Sequence, residues 1–302
     1  MRHLAAVACL ALVSGSCLVP AADANLAFKD DNNGNLVFDT GVVKGSVKKD
    51  GKGDALKPVS FVEPAVPMDT GHGLFTPYRF LTPQKRYGFG SWEWPRTGKV
   101  LDNGAAELTW PAAPDRPFAF TAIYRWRAAD TLDVTLVFTP DSDLDKFELF
   151  LGSYFREFTK ALAYVKDSGN GKPGFIESSK EKGGMQLYPR NQDVMPLITD
   201  GRWKFPPYPN NWAFRPALEA PLGMKQEPKS GVTAVIMALP EDCFAVSMSQ
   251  QEAGLGAFYL SLFGKDVKKG QSLTARARMV FGRNITPEQA VQKYQDYLKE
   301  TK

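Results

Sequence analysis

From residue 97 onward, apolar and polar positions alternate along the chain at period two. In "PFAFTAIYRWRA", Phe118, Phe120, Ala122, Tyr124 and Trp126 share one parity. In "TLDVTLVFTP", Leu132, Val134, Leu136 and Phe138 oppose Asp133 and Thr135. "KFELFLGSYF" continues with Phe147, Leu149 and Leu151, and "VTAVIMAL", "CFAVSMSQ", "AFYLSLFGKDV" and "SLTARARMVFG" follow between Gly, Asp and Lys turns. Successive side chains of a strand point to opposite faces, so the pattern predicts antiparallel sheets with one buried face each. Asn103-Gly104 in "KVLDNGAAELTW" predicts a hairpin through a type I′ turn, joining residues 99–101 to 106–110. One helix is predicted, in "NITPEQAVQKYQDYLKE". Thr286 is its N-cap, Pro287 its first residue and Gln289 the capping-box partner. Ala290, Tyr294 and Tyr297 or Leu298 form its apolar stripe, which would pack on a sheet edge. Asn284-Ile285-Thr286 is also a glycosylation sequon, but the capping role of Thr286 already explains it. With no central linker, repeat or low-complexity tract, residues 25–302 read as a single all-β domain.

Residues 1–24 lie outside this pattern. Arg2 precedes an apolar run from Leu4 to Val13, and the segment closes on Ala22-Asp23-Ala24, the layout of a cleavable secretory signal. Secreted or periplasmic localisation, with cleavage after Ala24, is the expectation. A lipid anchor on Cys17 is the weaker reading, because Ser14-Gly15-Ser16 lacks the apolar residue usual before such a cysteine. No later stretch reaches the ~18 apolar residues of a membrane span. Loss of the signal removes Cys9, Cys17 and His3, which leaves Cys243 and His72 as the sole cysteine and histidine. An internal disulfide, a cysteine zinc site and a multi-histidine metal site are thereby excluded, and no serine sits in G-x-S-x-G. Neither metal nor cofactor is expected. "KDDNNGN" (29–35) lacks the spacing of a calcium loop and reads as a polar turn. The net charge of +4 mixes both signs along the chain, unlike a nucleic-acid-binding stripe, and "VKKDGKGDALK" reads as a solvated loop. A monomer is expected.

Two clusters carry candidate chemistry. In "TGHGLFTPYRFLTPQKRYGFGSWEWPR", His72 stands between two glycines, followed by Tyr78, Arg79, Lys85, Arg86, Tyr87, Trp92 and Trp94. Carbohydrate sites use flat aromatic faces against the C–H side of a pyranose and forked donors for hydroxyls or carboxylates. Trp92 and Trp94 would share a face on a strand, with Glu93 opposite. Arg79 suits a sugar hydroxyl or an acidic sugar's carboxylate, or else a salt bridge within the sheet. His72 is either a ligand-binding or catalytic group or a turn histidine bonded to a backbone carbonyl. The second cluster, "RWKFPPYPNNWAFRPALE", holds Trp203, Tyr208, Trp212 and Arg215 on a proline-rich loop. It would be either a binding loop or a cover over a sheet edge, and together the two clusters would form one aromatic groove.

From residue 71 to 155 the order "GHGLFTPYRF", "SWEW", "LDNGAAEL", "RPFAFTAIYRW", "DTLDVTLVF", "LGSYF" resembles the galactose mutarotase-like superfamily, the aldose 1-epimerases and their relatives. The resemblance implies a β-supersandwich, two large antiparallel sheets packed face to face, with sugar held on a concave face. It implies a sugar-binding role for His72. In the family, the histidine of "H-x-Y-F" acts as general acid, and here Ser153, or Gly152 with a one-residue slip, takes that place. Neither transfers protons near neutral pH. For the family's general base, Glu219 and Glu252 are the candidates.

Three classes of function remain. The first is a secreted carbohydrate-binding protein, accessory to glycan utilisation, with His72, Tyr78, Arg79, Arg86, Trp92, Trp94, Trp212 and Arg215 as substrate-binding candidates. The second is a carbohydrate-active enzyme: an atypical epimerase, a hydrolase, or a lyase drawing on His72, Tyr78, Tyr154 or Arg79, with Glu219 as a further catalytic candidate. The third is a structural envelope protein whose aromatics are only core. Fold resemblance alone does not choose among them.

Overall fold

The computed structural model describes residues 25–250 and 255–301, so the signal segment, Cys17 and Glu252 lie outside the described residues. Three sheets make up the fold. A five-stranded sheet, not anticipated from the sequence, runs in chain order: β1 (Lys29–Asp30), β2 (Asn35–Asp39), β3 (Val43–Lys48), β4 (Val59–Phe61) and β5 (Val66–Pro67). The remaining strands are β6 (Thr76–Leu81), β7 (Thr97–Val100), β8 (Ala106–Trp110), β9 (Phe118–Ala128), β10 (Thr131–Pro140), β11 (Leu144–Arg156), β12 (Lys160–Val165) and β13 (Gly174–Glu177). They continue with β14 (Met185–Pro189), β15 (Ala213–Phe214), β16 (Leu218–Gln226), β17 (Val232–Ala238), β18 (Cys243–Gln250), β19 (Leu255–Val267) and β20 (Leu273–Arg283). Nine form one sheet in the order β13-β12-β16-β17-β20-β10-β9-β8-β7, and six form another, β15-β14-β18-β19-β11-β6. Pairing is antiparallel except between β14 and β15.

The alternating residues do what their period demands. Phe118, Phe120 and Phe138 of the nine-stranded sheet meet Phe80 and Phe147 of the six-stranded one, Phe138 stacking on Phe147 at 3.9 Å. The same core runs into the five-stranded sheet, where Phe38 lies 5.0 Å from Trp126. Two strands depart from the expected single buried face. β17 is buried along its whole length, and β11 from Phe147 to Ser153. On β17 the second cover is the C-terminal helix (Pro287–Glu300). It lies across the face of β16, β17 and β20 through Ala290, Tyr294 and Tyr297, and not on a sheet edge. Its capping box is present as expected, Thr286 accepting from Gln289 N–H and Gln289 returning a bond to the Thr286 N–H.

The β7–β8 hairpin forms with a different turn. Gly104 N–H donates to the Leu101 carbonyl, and Gly104 alone takes positive φ, 78°. Asp102 and Asn103 are therefore the centre of a type I turn, and Gly104 follows in the left-handed region. The "KDDNNGN" stretch is the turn between β1 and β2, its Asp31 carboxylate accepting from the amides of Asn33 and Asn35.

Candidate functional site

The outer face of the six-stranded sheet is roofed by loops and encloses a cleft of about 410 Å³. A β-bulge shapes its floor. Phe150 of β11 pairs with Arg79 and Leu151 with Pro77, so Tyr78 is the extra residue of β6. Bulges re-aim side chains. Here both Tyr78 and Arg79 line the cleft, while Phe80 still reaches the core.

Trp92 forms the next wall. It belongs to a 3-10 turn, Ser91–Glu93, and not to a strand, so it does not share a face with Trp94. A Cβ at Gly90 would collide with the Trp92 indole, so glycine there lets the ring lie flat over the backbone. Trp94 turns the other way into the core, 4.9 Å from Phe80, with the Arg116 guanidinium over its ring. Its placement removes it from the groove expected from the sequence.

His72 completes a stack of three rings: imidazole on Trp92 at 3.6 Å and 7°, then Tyr78 on Trp92 at 5.1 Å. The Gly71 and Gly73 backbones take φ of 51° and 79°, and a Cβ at Gly73 would collide with the Leu56 carbonyl. Nδ1 lies 2.8 Å from an Asp54 oxygen. Burial pushes the Asp54 carboxyl up, but hydrogen bonds and charge from His72 and Lys57 outweigh it and hold it below the usual carboxylate value. An ionised Asp54 accepts from Nδ1–H, which leaves the Nε2 of a neutral ring as the acceptor for a ligand. The turn-histidine reading fails on this point, since the side chain bonds a carboxylate and not a backbone carbonyl.

Tyr154, Phe150 and Tyr259 supply the far wall, Phe150 stacking on Tyr259 at 4.5 Å. Burial, followed by the neighbouring tyrosines, raises the Tyr154 hydroxyl well above its ordinary value, and burial first of all pushes Tyr259 up to about 12. Both phenols hold their protons at neutral pH and act as donors, which argues against Tyr154 as a base. In "LGSYF", Gly152 shares the cleft-facing parity of Tyr154, and Ser153 has the opposite one. A Cβ at Gly152 would lie 3.2 Å from the Tyr154 and Tyr259 rings, whereas Ser153 accepts a bond from Phe75 N–H. Neither Gly152 nor Ser153 therefore presents a proton-transferring side chain to the cleft.

The second sequence cluster meets the first. Trp203, Tyr208, Pro209 and Asn210 line the same cleft as His72, and Tyr208 is exposed at its mouth, 5.4 Å from Phe89. Trp212 packs edge-on against Trp203 at 4.7 Å and lines a smaller adjoining hollow of about 260 Å³. Arg215 is half-buried beside β14, its backbone N–H bonded to Leu187, and lies outside the cleft lining. Arg86 sits behind Tyr78, 5.7 Å from its ring. Glu219 is exposed on β16 of the other sheet, where its charge acts on Tyr164, so it is not a cleft residue. The sequence reading missed Phe89, Phe150, Met185, Asn210, Tyr259 and the Asp54 partner. Phe150 and Tyr259 had a signal, since each is an aromatic on the parity opposite its strand's core residues.

The sandwich and its aromatic cleft define a β-supersandwich with a ligand-sized concavity on one sheet. Among solved structures it is similar to the Slr1438 protein of Synechocystis sp. PCC 6803, at 10% identity over 87% of this chain and 98% of that one, with a TM-score of 0.52. It is similar also to a galactose mutarotase related enzyme of Lactobacillus acidophilus, at 10% identity over 83% and 98%, with a TM-score of 0.50. A third is the GalNAc complex of the alpha-N-acetylgalactosaminidase NagBb of Bifidobacterium bifidum, at 10% identity and a TM-score of 0.51, covering 89% of this chain but 38% of that one. No family model matches the sequence, and no curated protein matches it. The fold is the galactose mutarotase-like one, in a sequence only 10% identical to each of these neighbours.

Proposed function

We propose that this protein binds carbohydrate in the His72 cleft, as an exported sugar-recognition protein and not as an epimerase. One observation carries the reading: a cavity of about 410 Å³ walled by the His72–Trp92–Tyr78 ring stack, with Tyr208 at its mouth and the polar groups of His72, Arg79 and Asn210 among its lining. The volume suits a mono- or oligosaccharide, and rings with adjacent donors suit a pyranose. The fold neighbours, one named for galactose mutarotase and one captured with GalNAc, support a sugar ligand. Export rests on the pattern of residues 1–24.

Binding is favoured over acid–base catalysis because the described lining includes no Asp or Glu, and burial holds Tyr154 and Tyr259 in their protonated forms. A purely structural role would leave the cleft and the exposed Tyr208 without a purpose. The test is titration of the protein with neutral and uronate-containing oligosaccharides, followed by tryptophan fluorescence alongside assays for reducing ends and unsaturated product. Saturable quenching without product is expected. Trp92→Ala should weaken it roughly 30-fold, as for a stacking residue worth about 2 kcal/mol. Product formation would make the protein an enzyme, and no response to any sugar would sink the reading.

A further inference from the structure

Arg79 differs from the other deeply buried arginines of the described chain. Arg202 pairs with Glu148 and Asp200, Arg278 with Asp133 and Glu300, and Arg116 with Asp115, while Arg96 caps three backbone carbonyls. Arg79 is 5% exposed and has neither a carboxylate nor a carbonyl. Its guanidinium is clamped between the rings of Tyr78 and Trp203, at 5.0 and 4.9 Å. Nε and Nη1 are enclosed without partners, and Nη2 gives a single 3.4 Å bond to the Tyr78 hydroxyl. Arg86, outside the cleft lining, lies 5.7 Å from the Tyr78 ring, its Nη1 also without a partner and its Nε and Nη2 donating to the carbonyls of Gly88 and Phe89. Both guanidinium groups lie against the one Tyr78 ring, and burial, then the charge of Arg79, lower the proton affinity of Arg86. The nearby Asp54 is already engaged by His72 and Lys57.

A buried cation without a counter-charge is costly to the folded state and is retained where a ligand completes it. We propose that the cleft selects saccharides bearing an oxyanion substituent, a carboxylate or a sulfate ester, which is held at the Nη2 edge of Arg79 within the combined field of Arg79 and Arg86. The inference rests on the sugar-binding reading above and adds a charge requirement to it. Guanidinium suits both oxyanions, because its forked donors match their geometry.

The experiment is a glycan array carrying neutral, uronate-containing and sulfated glycans, probed with the wild-type protein and with Arg79→Met and Arg79→Lys, followed by calorimetric titration of the strongest binders. Signal should fall on acidic glycans, and the array separates carboxylate from sulfate as the recognised group. Arg79→Met should lose roughly 10- to 100-fold in affinity for them and with it the preference over neutral glycans, as expected for charge-assisted hydrogen bonds. Arg79→Lys should keep the preference for acidic glycans at lower affinity. The melting temperature of ligand-free Arg79→Met should not fall, because no ion pair is lost. If Arg79→Met fails to fold, the lysine variant carries the test. Equal binding of neutral and acidic glycans, or an unchanged preference in Arg79→Met, would overturn the charge requirement and leave the sugar site standing. An array blank in every class would overturn both.

Discussion

Lys225 sets the energetics of the fold at the level of a single side chain. Its ammonium is enclosed with no partner among the described residues, packed so that a Cβ at Gly256 would collide with it. Burial alone draws its pKa down to about 7. The unfolded chain, with an ordinary lysine pKa near 10.4, therefore binds this proton more readily than the folded one between those values. Stability contributed here rises as pH climbs from about 7 toward 10 and is lowest below 7. The full span is worth about 5 kcal/mol at 1.36 kcal/mol per pH unit. Lys225→Met should stabilise the protein at pH 7 by several kcal/mol and flatten this slope, read from urea unfolding at pH 7 and pH 10. A destabilised methionine variant would mean that the ammonium has a partner. Residues of the cleft were legible in the sequence to the extent that they lie close together in it. His72, Tyr78, Arg79 and Trp92 share one stretch and could be grouped by composition. Asp54 could not, because its link to His72 depends on how a loop of the five-stranded sheet folds back.

Among the elements, alternation identified β9 and β10 almost to the residue and misjudged β11 and β17. Period two reports a single wet face, and that face vanished where the C-terminal helix or the cleft aromatics covered it. Of the N-terminal strands only the one in "LVFDTG" was legible, because the five are two to six residues long and interrupted by Gly, Lys and Pro. The bulge at Tyr78 was equally invisible, since it exists only in the register between β6 and β11. Two predictions belong here. Thr286→Ala removes the side chain that accepts from Gln289 N–H and should cost about 1 kcal/mol in thermal or urea unfolding, with ligand binding untouched. Gly90→Ala should do the opposite, displacing the Trp92 ring and abolishing sugar-dependent fluorescence change while leaving near-native far-UV circular dichroism. If Gly90→Ala binds normally, the Trp92 wall is not part of the site.

At the scale of the whole molecule, the three sheets share one core, Phe28, Phe38 and Val47 packing into the same cluster as Phe118 and Phe147. Such continuity predicts a single cooperative unfolding transition, coincident by fluorescence and circular dichroism. Two separated transitions would mean that the five-stranded sheet is a unit of its own. The order of strands in the nine-stranded sheet has a further consequence, for how the protein is made. β20, the last strand of the described fold, lies between β10 and β17 near the middle of that sheet. As the chain leaves the ribosome, β10 and β17 emerge first, each with a bare edge facing the gap. Neither edge can be closed until residues 273–283 have been synthesised. Exposed edges of this kind invite pairing with other chains. The nascent protein is therefore a natural client for a holding chaperone, and a chain stopped short of β20 should aggregate instead of folding to a smaller version of itself.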